Sequence, residues 1–176
     1  FLKPLTNKNN EGVFIIDDTS YNRNRSKNVE LLANVYDHVT HKYFKGFRIL
    51  SLCWSDGHSV LPVDFSLLSS KNPKNRYCKM NTNMDKRSTA YKRKLEAINK
   101  STDLLVPMIK RAFKHGIKAK YVLMDTWFGM PSIIASIKPL ADVICMVKNS
   151  EKIHYTLEDK KVELKQIYKQ IKKKRG

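Results

Sequence analysis

Two aspartates, Asp18 and Asp125, each follow a short continuous apolar run: Val13-Phe14-Ile15-Ile16 before Asp17-Asp18-Thr19, and Tyr121-Val122-Leu123-Met124 before Asp125. Runs rich in β-branched and aromatic residues, closed by turn formers, read as strands buried on both faces. If the two strands are neighbours, their backbones lie about 4.8 Å apart and the two carboxylates converge. Like charges that close resist ionising together unless a cation neutralises them. Hard oxygen ligands select Mg2+ or Mn2+, and two such ions roughly 3.5–4 Å apart clamp the attacking and leaving oxygens of a phosphoryl transfer. An aspartate after a strand is also a common turn former or helix N-cap. The residues alone leave both readings open.

The elements that must position this pair can be read from the pattern along the chain. Tyr21 to Lys27 is polar and basic, hence a loop, and Val29 to Val39 reads as a short helix with Leu31, Leu32 and Val35 on one side. Gly46–Trp54 and His58–Leu68 are strand-like and joined by Ser55-Asp56-Gly57, a strong hairpin signal. Residues 69–100 read as a basic loop that passes into helix near Ser88. Thr102-Asp103 caps a helix with the apolar stripe Leu104, Leu105, Met108, Ile109, Ala112 and Phe113, ended by Gly116, with Pro107 as a kink or a shifted start. After the strand at Tyr121–Met124 come a helix over Pro131–Ile137 and a third apolar run, Val143–Val147. A hairpin near Glu158-Asp159 and an amphipathic piece with Leu164, Ile167, Tyr168 and Ile171 follow. Buried strands alternating with helices, plus one antiparallel hairpin, give an α/β mixed sheet flanked by helices. The order matches the ribonuclease-H-like fold, in which the first and fourth strands lie side by side at the centre.

Composition points to the partner. With 34 Lys and Arg against 16 Asp and Glu, the net charge is +18, a field that concentrates polyanions, nucleic acid above all. A merely basic protein from an AT-rich genome is the plainer reading of the same number. Apolar residues make up 41% of the 176, enough for one core and too many for a disordered chain. Cys53, Cys78 and Cys145 form no CxxC pair, which argues against a disulfide framework or structural zinc and fits a reducing cytoplasm. No apolar run approaches the roughly 20 residues of a membrane span.

Several segments together carry a resemblance. Phe14-Ile15-Ile16-Asp17-Asp18-Thr19-Ser20, Arg23 to Glu30, Gly46-Phe47-Arg48-Ile49-Leu50, Ser55-Asp56-Gly57-His58, Leu61 to Leu68 and Lys120 to Phe128 are similar to bacterial insertion-sequence transposases of the DDE superfamily. The likeness is to the branch that cuts and pastes through DNA hairpins. It implies a transposase catalytic domain that cleaves and joins DNA strands with two Mg2+ or Mn2+ ions, acts on double-stranded transposon ends and target, works as a homodimer and resides in the bacterial cytoplasm with the nucleoid. It implies that Asp18 is the first catalytic acid and Asp125 the second, both holding metal. Asp17 competes for the first role, and Asp18 is preferred because the family's aspartate stands immediately before the hydroxyl residue that Thr19 matches. The family's third acid, a glutamate in a Tyr, Arg, Glu, Lys pattern on a later helix, has no match in Glu151, Glu158 or Glu163. It is expected beyond Gly176, so residues 1–149 read as a partial catalytic core and 150–176 as the start of a mainly β insertion. A fragment that lacks the third acid is expected to be inactive by itself.

The basic residues divide into two groups. Arg23, Arg25 and Lys27 follow the first aspartate and either hold phosphates or form a solvated loop. Lys71, Lys74, Arg76, Lys79, Lys86, Arg87, Lys92, Arg93 and Lys94 are the stronger DNA-backbone candidates. Tyr77 and Tyr91 lie among them as packing or stacking residues. Trp54, Trp127 and Phe128 read as core or cleft-wall aromatics. The five histidines, His38 among them, show no metal spacing. Two other functions remain in view, another ribonuclease-H-like nuclease and a non-catalytic DNA-binding transposase remnant.

Overall fold

The central strand, β1 (Val13–Asn22), buries Phe14 and Ile16 on one face and half-buries Val13 and Ile15 on the other. The structure, a computed structural model, describes residues 12–37, 39–148, 150 and 154–171. His38, Glu151 and the basic tail from Lys172 lie outside the described residues. β1 is longer than its apolar run suggests. It pairs antiparallel with β3 (Lys42–Ser55) over its whole length, from Val13 opposite Ser55 to Asn22 opposite Gly46. Asp17 and Asp18 therefore sit inside the strand and not at its end, and Tyr21 and Asn22 belong to it and not to the following loop. A ladder partner of this length outweighs the poor strand propensity of Asp, Ser and Asn.

The expected helix over Val29–Val39 is a strand, β2 (Ala33–Asp37), paired antiparallel with Lys42–Gly46. Leu31 takes a left-handed φ of 61°, which stops any helix, and Ala33 and Val35 then alternate inward at period two. Leu31 and Leu32 pack with Phe47 and Ala97 in a small second core. The hairpin of β3 with β4 (Val60–Leu68) forms as expected, with Gly57 at φ 93° in the connection.

Parallel to β1 runs β5 (Tyr121–Met124), from Val13 opposite Tyr121 to Ile16 opposite Met124, and β6 (Asp142–Cys145) runs parallel to β5. The six-stranded mixed sheet has the order β2-β3-β1-β5-β6, with β4 also on β3, which is the ribonuclease-H-like arrangement. α1 (Thr89–Ala97) is capped by Ser88, whose Oγ accepts from the Tyr91 amide at 3.1 Å. α2 (Ser101–Lys114) begins one residue before the expected cap: Lys100 is its N-cap, and Thr102 and Asp103 lie in the first turn, where the Asp charge suits the helix dipole. Pro107 lies within the helix. α2 and α3 (Pro131–Ile137) cover one sheet face, closing Leu104, Leu105, Met108, Ile109, Ile133 and Ile137 over Phe14, Ile16, Leu50, Leu52, Val122 and Met124. On the opposite face Phe65, Leu123 and Ile144 stay exposed. A separate two-stranded sheet, β7 (Tyr155–Leu157) with β8 (Lys160–Val162), turns through Glu158 and Asp159 at positive φ and leads into α4 (Leu164–Gln170).

Gly46 is the joint of this sheet. It stands opposite Asn22 on β1 and Ala33 on β2 at once, and a Cβ there would meet the Tyr21 carbonyl oxygen at 2.1 Å. Backbone cannot yield as a flexible side chain can. Gly46→Ala is expected to lower stability by at least about 2 kcal/mol, read as a lower urea midpoint with an unchanged slope.

Candidate active site

Strand alternation decides where each acid points. Phe14, Ile16 and Asp18 share one face of β1, so Asp18 emerges at the end of the helix-covered face and lines a pocket of about 310 Å3 with Thr19, Ser20, Tyr36 and Arg48. Asp17 lies on the other face. Its charge reaches Cys53, whose thiol is pushed up first by burial and then by that carboxylate. Asp17 Oδ1 accepts from the Asp18 amide at 2.8 Å.

Asp125 follows the last residue of β5 and opens a turn, with the Phe128 amide donating to its carbonyl at 3.0 Å and the Thr126 amide to its Oδ1 at 2.5 Å. It is exposed. The last register pair of β1 with β5 is Ile16 opposite Met124, so Asp17 and Asp125 are the next residue on each strand and Asp18 is one further. β5 ends before Asp125, and strand alternation does not govern where its side chain points. Asp125 thus follows the end of β5, and Asp18 stands inside β1, two residues past the last pair that β1 makes with β5.

Arg48 was not singled out by the sequence reading. It follows the same β3 face as Leu50, Leu52 and Trp54, and its guanidinium donates to Asp18 Oδ2. A period-two pattern of three buried apolar residues with a charge at its end was the available signal, because a charge on a buried face requires a partner. Trp127, half-buried just after Asp125, has the Arg48 guanidinium 5.8 Å and the Lys148 ammonium 5.1 Å from its ring. Arg48 and Trp127 also line a cleft of about 420 Å3 whose walls include Tyr36, Tyr43, Lys71 and Lys100. Trp54 and Phe128 are core residues.

Divalent metal is the group this kind of site implies, and the donor chemistry fits in type: Asp18 and Asp125 are hard oxygen ligands. The number is short. Among the described residues no three His, Cys, Asp or Glu side chains gather as a metal-holding group.

The basic candidates separate by environment. Lys71, Lys74, Lys79, Lys86, Arg87 and Lys92 are exposed, as are Arg23, Arg25 and Lys27. Arg87 pairs with Asp85 at 3.3 Å, and the Arg23 Nε donates to Ser26 Oγ at 3.0 Å. Arg76 is half-buried and bridges to Ala33 through its backbone. Lys94 pairs with Glu30 at 2.6 Å. Arg93 and Arg111 grip the buried Asp64 at 2.7 and 2.8 Å, and both also reach Glu96. Burial lowers the pKa of Arg93, but hydrogen bonds and charge from Asp64 and Glu96 outweigh it and raise the net value. Arg93→Met together with Arg111→Met leaves Asp64 buried without a cation and is expected to cost about 3 kcal/mol. Either change alone should cost clearly less in the same urea titration, since the other arginine remains.

Among the described residues, no helix is long and apolar enough to cross a membrane. Comparison with curated proteins and with solved structures returns no match. The family profile described as DDE superfamily endonuclease matches residues 2–154, most of the chain. On that match the chain belongs to the DDE superfamily endonuclease family.

Proposed function

We propose that this is the catalytic core of a DNA transposase of the hairpin-forming cut-and-paste branch, with Asp18 and Asp125 as its first two acids. The observation that supports the reading is the parallel pairing of β1 with β5, whose last pair, Ile16 opposite Met124, is followed by Asp125 after one residue and by Asp18 after two. Asp18 and Asp125 would hold Mg2+ or Mn2+, which supplies charge neutralisation at the phosphate and an activated water. The protein's own part is to fix Asp18 by strand pairing and Asp125 by the turn it opens, to wall the cleft with Trp127, Tyr36 and Tyr43, and to hold the DNA backbone through exposed lysines. Double-stranded DNA is the substrate, and a homodimer brings two ends together. Residues 1–149 form the core. Residues 150–176 begin a β-rich subdomain, which the separate β7–β8 hairpin supports.

One observation favours a second reading of the first acid: Asp17, not Asp18, is the residue level with Asp125. Calorimetric titration of Mn2+ into the chain separates the two. Asp18→Asn and Asp125→Asn are each expected to remove Mn2+ binding, and Asp17→Asn to keep it. Loss with Asp17→Asn and retention with Asp18→Asn would move the role to Asp17. Retention in all three would refute the metal site.

A further inference from the structure

Asp18 already faces a cation that belongs to the protein. Arg48 stands opposite Ser20 on the β1–β3 ladder, diagonal to Asp18, and the pair is only 20% and 16% exposed. Such a pair is screened far less than one on the surface. Burial pushes the Arg48 pKa down from its usual value, yet guanidinium keeps its proton under all ordinary conditions. The next residues on that face are Leu50, Leu52 and Trp54, all buried, so the charge stands at the end of an apolar row. The guanidinium also sits where the pocket at Asp18 meets the larger cleft, beside the Trp127 ring.

We propose that Arg48 is a positioning residue that occupies Asp18 in place of a divalent cation and passes to a DNA phosphate in the adjoining cleft when metal enters. This rests on the reading of Asp18 as a metal-holding acid. A carboxylate oxygen that accepts from a guanidinium is less available to metal, and two cations on one carboxylate repel each other. Metal entry therefore releases Arg48. The released guanidinium has a cleft of about 420 Å3 beside it, with Trp127, Lys71 and Lys100 on its walls. A phosphate there gives it a bidentate partner in exchange for Asp18. The two events are then linked, and by reciprocity DNA raises metal affinity as metal raises DNA affinity. The site binds its metal weakly until DNA is present, which restrains cleavage away from a bound substrate.

The test is Mn2+ titration by calorimetry on the DNA-free chain. Arg48→Met and Arg48→Gln, which remove the charge and keep much of the side-chain stem, are expected to bind Mn2+ at least about tenfold more tightly than the parent. Arg48→Lys should stay near the parent. In fluorescence anisotropy with a short duplex, Mn2+ should raise the parent's DNA affinity and raise that of the Met and Gln variants much less. A purely structural arginine would give weaker or unchanged Mn2+ binding on removal, and that result in both variants overturns the proposal. Asp18→Asn is expected to abolish Mn2+ binding with or without Arg48. If it does, and the Arg48 variants show no gain, only this inference fails. If Asp18→Asn leaves Mn2+ binding intact, the reading of Asp18 fails and the inference with it.

Discussion

Asp18→Asn and Asp125→Asn should each reduce metal-dependent DNA nicking by about three orders of magnitude or more, because positioning and charge neutralisation carry most of phosphoryl-transfer chemistry. The assay is conversion of supercoiled plasmid to nicked circles by a chain that supplies all three acids of the family. DNA affinity without metal should not fall, since neither residue is one of the exposed cations and each substitution removes a negative charge. Among the described residues no third carboxylate joins Asp18 and Asp125, and two supply too few oxygens for a second ion, so the 176-residue chain should hold metal without cutting. Robust nicking by this chain that survives both substitutions would place the chemistry elsewhere.

The second large effect concerns affinity. Lys71, Lys74, Lys79, Lys86 and Lys92 are exposed, whereas Arg93 and Lys94 are held by Asp64, Glu96 and Glu30. Changing the five exposed lysines to Gln should weaken binding to duplexes of any sequence by about a hundredfold or more at moderate salt. The slope of log affinity against log salt should flatten by about 0.9 for each lysine that sits on a phosphate. Arg93→Gln should act chiefly on stability. Fluorescence anisotropy across a salt series, with urea unfolding alongside, reads both. An unchanged slope in the five-lysine variant would mean that this face meets only solvent.

Much of the scaffold around the candidate site was legible in the sequence. The runs ending at Ile16 and Met124 marked the two central strands, and their adjacency followed from the order of elements. Ser55-Asp56-Gly57 gave the hairpin, and the stripe from Leu104 to Phe113 gave the helix beneath it. What the pattern lacked was non-local. β1 continues through two aspartates because β3 pairs with all of it, and β2 replaces a helix because Leu31 turns left-handed and Lys42–Gly46 offers an edge. Periodicity along one segment carries no information about the strand it will pair with. The same limit hid the division of the basic residues. Arg93 reads as one more charge in a run until Asp64, from a different strand, is found against it. Arg48 stayed hidden for the same reason, since only the β1–β3 register brings it to Asp18.

The most direct test of the metal-holding pair is cleavage of the polypeptide itself by Fe2+ bound in place of Mg2+, with ascorbate and peroxide generating hydroxyl radical at the ion. Cuts are expected beside Asp18 and beside Asp125 in the same molecule, suppressed by excess Mg2+ and lost in Asp18→Asn. Cuts confined to other parts of the chain, or a pattern indifferent to Mg2+ and to the substitution, would contradict the account.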